Sequence, residues 1–242
     1  MTTSYRLLRG TSDAALTVGL LLVLFATYLL WWTNHTAQAR ARQEVHRLEQ
    51  QWAQSDRVGI PDRAGRSAAA AKSDGSRRPA KDRSPGAGAP TELRSFAILR
   101  IPRLALNVPV AEGVDKHRIL DRGFVGHYPG TALPGAEGNF AVAAHRNTHG
   151  EPFRYLNRMR PGDTVTVTTA DGDFRYRIDS VLPQTSPSDS ATIAPVPTTA
   201  VAHRGSAVGY DAPGRYLTLT TCTPEFTSRY RMVVWGHLVG SR

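Results

Sequence analysis

The hydrophobic positions of this 242-residue chain fall into three regimes. Ala14 to Trp32 (AALTVGLLLVLFATYLLWW) is 19 residues without a charge. A helix needs about 20 such residues to cross a hydrocarbon core. Ser55 to Pro90 is the opposite: Ala, Ser, Gly, Pro, Lys, Arg and Asp, with Val58 and Ile60 as its large aliphatic residues. Such a stretch buries too little apolar area to offset its ordering entropy, and is expected to be a flexible tether holding the downstream residues away from the bilayer. From Thr91 onward the pattern becomes short, alternating and globular.

Within that last regime, strands are expected at Phe96–Ile101 (ended by Pro102), Leu106–Val110 and Asn139–His145 (NFAVAAH). Thr164–Thr168 and Phe174–Ile178 alternate with period two around Asp171-Gly172, a strong hairpin signal. Tyr216–Thr221 (YLTLTT) and Tyr230–Leu238 (YRMVVWGHL) complete the set. Helical signals are short: Lys116–Leu120 and Pro152–Met159. Thr185–Ala200 is rich in Ser, Thr and Pro and reads as a long surface loop. Many short strands separated by turn residues point to a mainly β domain, a closed barrel or a sandwich. There is no internal repeat.

The apolar run follows Arg6 and Arg9, and ends in Trp31 and Trp32 with Tyr28 a turn earlier, as interfacial residues do. The positive flank keeps the N-terminus cytoplasmic and sends the bulk of the chain outside, although Arg40 and Arg42 on the far side weaken that signal. Ala37-Gln38-Ala39 resembles a signal-peptide cleavage site, but the run exceeds the usual 7–15 residue signal core, which favours an uncleaved anchor. The expected organisation is a cytoplasmic N-terminus (1–13), a transmembrane anchor (14–32), a juxtamembrane segment and linker (33–92) and a folded domain (93–242). His35–Trp52, rich in Ala, Gln, Glu and Arg, could form a short juxtamembrane helix.

Thirty basic and 20 acidic residues give a formal charge of +10, spread along the chain. No segment combines clustered basic and aromatic residues as a nucleic-acid groove does, so no nucleic-acid partner is expected; anionic lipid or cell-wall polymer suits such a surface equally well.

Cys222 is the single cysteine. An unpaired thiol outside the cytoplasm is either inert in a core or a nucleophile, and on its own the buried thiol is the commoner case. A nucleophilic thiol needs a proton partner and a donor for the developing oxyanion. Of eight histidines, His145 is best placed, where an apolar strand runs out into a loop; His149 lies four residues later. The spacing could suggest a metal pair, but no carboxylate-rich motif accompanies it and the segment does not look helical, so no metal or other cofactor is expected. Arg229 and Arg231 are the arginine candidates, and spacing alone does not separate them.

Thr218-Leu219-Thr220-Thr221-Cys222 fits the TLxTC signature of sortases, in which a strand ends in the nucleophilic cysteine. Gly126–Gly135 (GHYPGTALPG) and Gly138–Gly150 (GNFAVAAHRNTHG) resemble the segment carrying the sortase histidine, and Cys222–Leu238 the segment carrying its arginine. The resemblance spans roughly residues 93–240 and is, in detail, to the class E sortases of actinobacteria. It implies a closed eight-stranded β-barrel with short helices, behind a transmembrane helix and linker. It further implies a membrane-bound transpeptidase that cuts a C-terminal LAxTG- or LPxTG-type sorting signal between Thr and Gly and passes the threonyl group to an amine of a cell-wall precursor or a pilin. By resemblance Cys222 is the nucleophile, His145 the general acid and Arg231, nine positions after the cysteine, the oxyanion donor, with Arg229 as runner-up. Tyr128, Thr220 and Thr221 are the expected substrate contacts. Ala144 stands where many relatives carry Gly, which is harmless unless the backbone there needs φ > 0. Two rival readings are an L,D-transpeptidase and a non-catalytic binding module. The first is disfavoured because Leu-Thr-Thr precedes the cysteine and Thr223-Pro224 comes after it.

Overall fold

The structure, a computed structural model, describes residues 2–57, 95–199 and 209–242. The expected tether begins at Ser55, but residues 55–57 are the last of the N-terminal helix; the rest of it and the domain boundary at 93 lie outside the described residues.

One helix, α1 (Thr2–Arg57), takes up the N-terminal region without a break. The described side chains of its apolar stretch are exposed, and it is long and apolar enough to cross a membrane. Beyond Trp32 the helix changes character. Ala37, Ala41, Val45 and Leu48 are buried, and with Trp52 they recur every three or four residues, forming one stripe. Ala41 packs with Ala111, Ile119 and Phe124, and Val45 and Leu48 pack on Ile98. Each of those two larger side chains contributes about 1.5–3 kcal/mol by burial. Arg100 reaches back to Glu49 at 2.7 Å. The juxtamembrane segment is therefore a docked part of the folded unit, where the sequence pattern had pointed to a separate element.

Eight strands make up the rest of the framework: β1 (Ser95–Ile101), β2 (Leu106–Glu112), β3 (Val125–His127), β4 (Gly138–Ala143), β5 (Thr164–Thr169), β6 (Gly172–Thr185), β7 (Arg215–Thr223) and β8 (Tyr230–Ser241). They close into a barrel in the order β1-β2-β3-β4-β7-β8-β6-β5. β2/β3 and β4/β7 are parallel, and the other neighbours antiparallel. The interior is filled by one face of each strand: Phe140 and Val142 from β4, Leu217 and Leu219 from β7, Met232 and Val234 from β8. The alternate positions point outward, among them Ala141, Ala143, Thr218, Thr220, Cys222, Arg231, Val233 and Trp235.

That outward face is itself covered. Residues 186–199, which read as a surface loop, lie on it: the Thr192 carbonyl accepts from Trp235 Nε1 at 3.0 Å and from Thr218 Oγ1 at 3.3 Å, and Asn139 Nδ2 donates to the Ala194 carbonyl at 3.0 Å. Their polar composition conceals that role because the anchoring is through backbone carbonyls. Two helical expectations contract to short 3-10 turns at Leu120–Arg122 and Leu156–Arg158.

Candidate active site

β7 and β8 place Cys222 and Arg231 directly. The two are paired residues across the antiparallel ladder, both on the outward face. β4 runs parallel beside β7, with Ala143 opposite Thr220, so the chain leaving β4 delivers His145 next to the end of β7. Thr221 Oγ1 donates to the Ala144 carbonyl at 2.8 Å and locks the two segments together. Ala144 itself does not have positive φ; in this segment positive φ falls at His149, Gly150 and Glu151. A strained run of that kind is found where surrounding contacts fix it.

All six residues expected from the sequence line one cleft of about 720 Å³: Cys222, His145, Arg231, Tyr128, Thr220 and Thr221. Phe226, 77% exposed in the turn between β7 and β8, lies on its rim. Tyr128 Oη and Thr220 Oγ1 are 3.0 Å apart on its floor. Arg229 precedes β8, stacks its guanidinium 5.3 Å from the Tyr230 ring and does not line the cleft. Arg231 Nη1 donates to the carbonyls of Ser228 and Tyr230 at 3.0 and 3.1 Å, which fixes the guanidinium against the turn that precedes it.

Two participants were not foreseen. Asp121, in the turn between β2 and β3, accepts from His145 Nε2 at 2.7 Å. The same carboxylate lies 3.2 Å from Lys116 Nζ, 3.0 Å from His117 Nδ1 and 3.4 Å from His149 Nδ1. Burial pushes the Asp121 carboxyl up, but the bonds from His145 and Lys116, with the His149 charge, outweigh it and hold it below its ordinary value. For His149 burial dominates and lowers its pKa despite the carboxylate. The second is Arg146, buried, whose Nη1 donates to Thr223 Oγ1 at 2.9 Å and approaches the Cys222 carbonyl at 3.4 Å. Glu225 stands 3.7 Å from its Nη2.

Asp121, His145 and His149 bring three ligating atoms within 4.8 Å of one another, a set able to take a metal ion. The carboxylate missing from the local sequence is supplied from 24 residues upstream. The Lys116 ammonium on that carboxylate opposes a further cation.

Residues 99–239 match the family model of the sortase domain. The chain is 44% identical to sortase SrtE1 of Streptomyces coelicolor over 97% of its own length and 58% of that protein's, so it spans less than two thirds of that relative. It is 34% identical to SrtE2 of the same organism over 94% of its length and 80% of the relative's. The crystal structure of S. coelicolor sortase E1 with a tripeptide in its active site superposes with a TM-score of 0.56 at 52% identity, covering 62% of this chain and 90% of that one. Sortase E from Streptomyces avermitilis superposes with a TM-score of 0.53 at 43% identity, with the same shares covered. The match leaves no place for the L,D-transpeptidase reading. With its closed barrel and its cysteine-ended strand, the chain belongs to the sortase family, in class E.

Proposed function

We propose that this chain is a membrane-anchored cysteine transpeptidase acting on a C-terminal sorting signal of the LAxTG or LPxTG type outside the cytoplasm. The observation that carries the reading is the convergence of Cys222, His145 and Arg231 on one cleft large enough for an extended peptide. The tripeptide held in the active site of the S. coelicolor enzyme supports a peptide in the corresponding cleft.

The Cys222 thiolate attacks the carbonyl carbon of the signal's threonine, and Arg231 donates to the oxygen as it gains charge. His145 gives its proton to the departing glycine amine, leaving a threonyl thioester on Cys222. An incoming amine, from a cell-wall precursor or a pilin, then attacks the thioester. His145 takes the proton of that amine, the C–S bond breaks and Cys222 leaves as the thiolate, restoring the starting pair. With Nε2–H donated to Asp121, Nδ1 is the nitrogen that carries the moving proton. Asp121 holds the ring in place, as an orienting carboxylate does. Tyr128 and Thr220 present hydroxyls to the signal, whereas the Thr221 hydroxyl, buried on the Ala144 carbonyl, positions the histidine segment. No nucleic acid and no cofactor enters this scheme; membrane lipid is met through α1.

The test is direct. Incubated with an LAxTG peptide, the full chain in detergent should show by mass spectrometry a threonyl adduct on Cys222, and with triglycine should release a ligated peptide. Cys222→Ala should yield neither. Absence of any adduct from the unmodified chain with either signal type would leave a non-catalytic binding module as the better reading.

A further inference from the structure

The sequence pattern places the flexible tether at Ser55–Pro90, yet those residues come after the point at which α1 docks. The helix leaves its apolar stretch at Trp31 and Trp32 and meets the barrel at once. Asn34 Nδ2 donates to Glu151 Oε1 at 2.9 Å, and Asn34 Oδ1 accepts from the Gly150 amide at 3.2 Å. Gln38 Nε2 reaches the Gly150 carbonyl at 3.4 Å. Ala37 is 1% exposed and lies against Gly123, where a Cβ would come within 2.9 Å of the Ala37 carbonyl oxygen at a φ of +81°. These contacts belong to the two loops that carry the histidine side of the cleft. Gly150 adjoins His149 and Gly123 is two residues from Asp121.

At about 1.5 Å per residue, Trp32 and Gln38 are roughly 9 Å apart along the helix axis. The cleft thus hangs from a rigid, continuous helix whose first docking contact falls within one turn of its interfacial tryptophans. From this we infer that α1 is a ruler: its docking fixes the height of the cleft above the bilayer, and so selects substrates by the distance between their scissile bond and the membrane. The ligand class is a peptide tethered to the same bilayer by a short spacer. This rests on the transpeptidase reading and on α1 being the membrane anchor.

The experiment uses the full chain in liposomes and three substrates. These are the free LAxTG peptide, the same motif fused through a short spacer to a transmembrane helix, and a tethered version whose spacer is longer by three extended residues, about 10 Å. A seven-residue helical insert after Trp32 lifts the barrel by about 10 Å while turning the docked face by only about 20°. The insert should lower cleavage of the short-tethered substrate at least about fivefold, because a spacer that cannot span the gap gives almost no effective concentration. Cleavage of the free peptide and of the longer-tethered substrate should stay within about twofold on the same argument, and the free peptide reports that the barrel is intact. Undocking by Val45→Asp with Leu48→Asp removes the fixed height, and the two tethered substrates should then be cleaved alike. An insert that leaves all three substrates unchanged, or lowers all three equally, overturns the ruler. If the unmodified chain fails on the free peptide, the transpeptidase reading fails instead.

Discussion

The cysteine side and the histidine side of the cleft are built by different means. Cys222 and Arg231 sit on two strands joined by an uninterrupted run of ladder pairs from Tyr216↔His237 to Thr223↔Tyr230, so their mutual position comes from register. A slip of one residue would turn both away from the cleft and push Met232 and Leu219 out of the core. His145 has no such frame. It lies past the last residue of β4 and is held by groups from elsewhere: Thr221 through Ala144, Asp121 through its ring, and α1 behind the next loop. The proposed nucleophile is fixed by secondary structure, whereas the proposed proton carrier is fixed by tertiary contacts.

The largest expected effect separates the two arginines on the ladder side. Arg231→Ala should lower kcat by roughly 100- to 1000-fold, the usual loss for an oxyanion donor. Arg229→Ala, which removes only a stacking contact outside the cleft, should stay within about twofold, as exposed substitutions do. Steady-state transpeptidation of the two variants decides the matter, and a reversed order would move the oxyanion role to Arg229.

On the tertiary side the effects should be smaller but more diagnostic. Asp121→Asn keeps the shape of the turn and replaces the carboxylate that holds the His145 ring with an amide. The expected loss is roughly 10- to 100-fold in kcat, with KM little changed, since general acid–base assistance amounts to about 10²- to 10⁴-fold in all. Asp121→Glu should restore part of the rate. A purely structural carboxylate would lower stability and leave kcat of the folded fraction in place. Arg146 occupies the seam between the two sides. Arg146→Met should lower the melting temperature and reduce the rate only modestly, because its bonds go to Thr223 and the Cys222 carbonyl and not into the reaction.

The same division governs what the sequence makes legible. The ladder side was readable because period-two alternation, the Asp171-Gly172 turn and the TLxTC run are all local. β3 escaped notice since three residues are too few to show a period. The docked stripe of α1 escaped because two of its four buried members are alanines, too small to stand out among Gln, Glu and Arg. Asp121 was harder to read: it is 24 residues from His145, and only the parallel pairing of β2 with β3 and the antiparallel return of β4 bring it in. The signal that could have found it is the run Asp115–Asp121 itself, a polar loop with both a lysine and a histidine beside the strand that leads to the site.

The smallest expected effect is on stability with pH, and it too falls on the histidine side. Burial lowers the pKa of His149 in the folded protein from its ordinary 6.5. As pH falls below 6.5, the unfolded chain therefore takes up a proton that the folded chain resists, and stability is lost until the folded value is passed. Asp121 is also lowered, from 3.8, so its contribution is complete above that value and is lost as pH falls through the folded one. The melting temperature of the full chain in detergent should then decline in two stages on acidification, first through His149 and later through Asp121. His149→Asn should flatten the first stage and shrink the second, since the His149 charge helps hold Asp121 down, while Asp121→Asn should lower stability at neutral pH and flatten the second. Cys222→Ala, on the strand-built side, should leave both stages where they are. An acid profile unaltered by His149→Asn would place the first stage on another histidine and remove His149 from the network around Asp121.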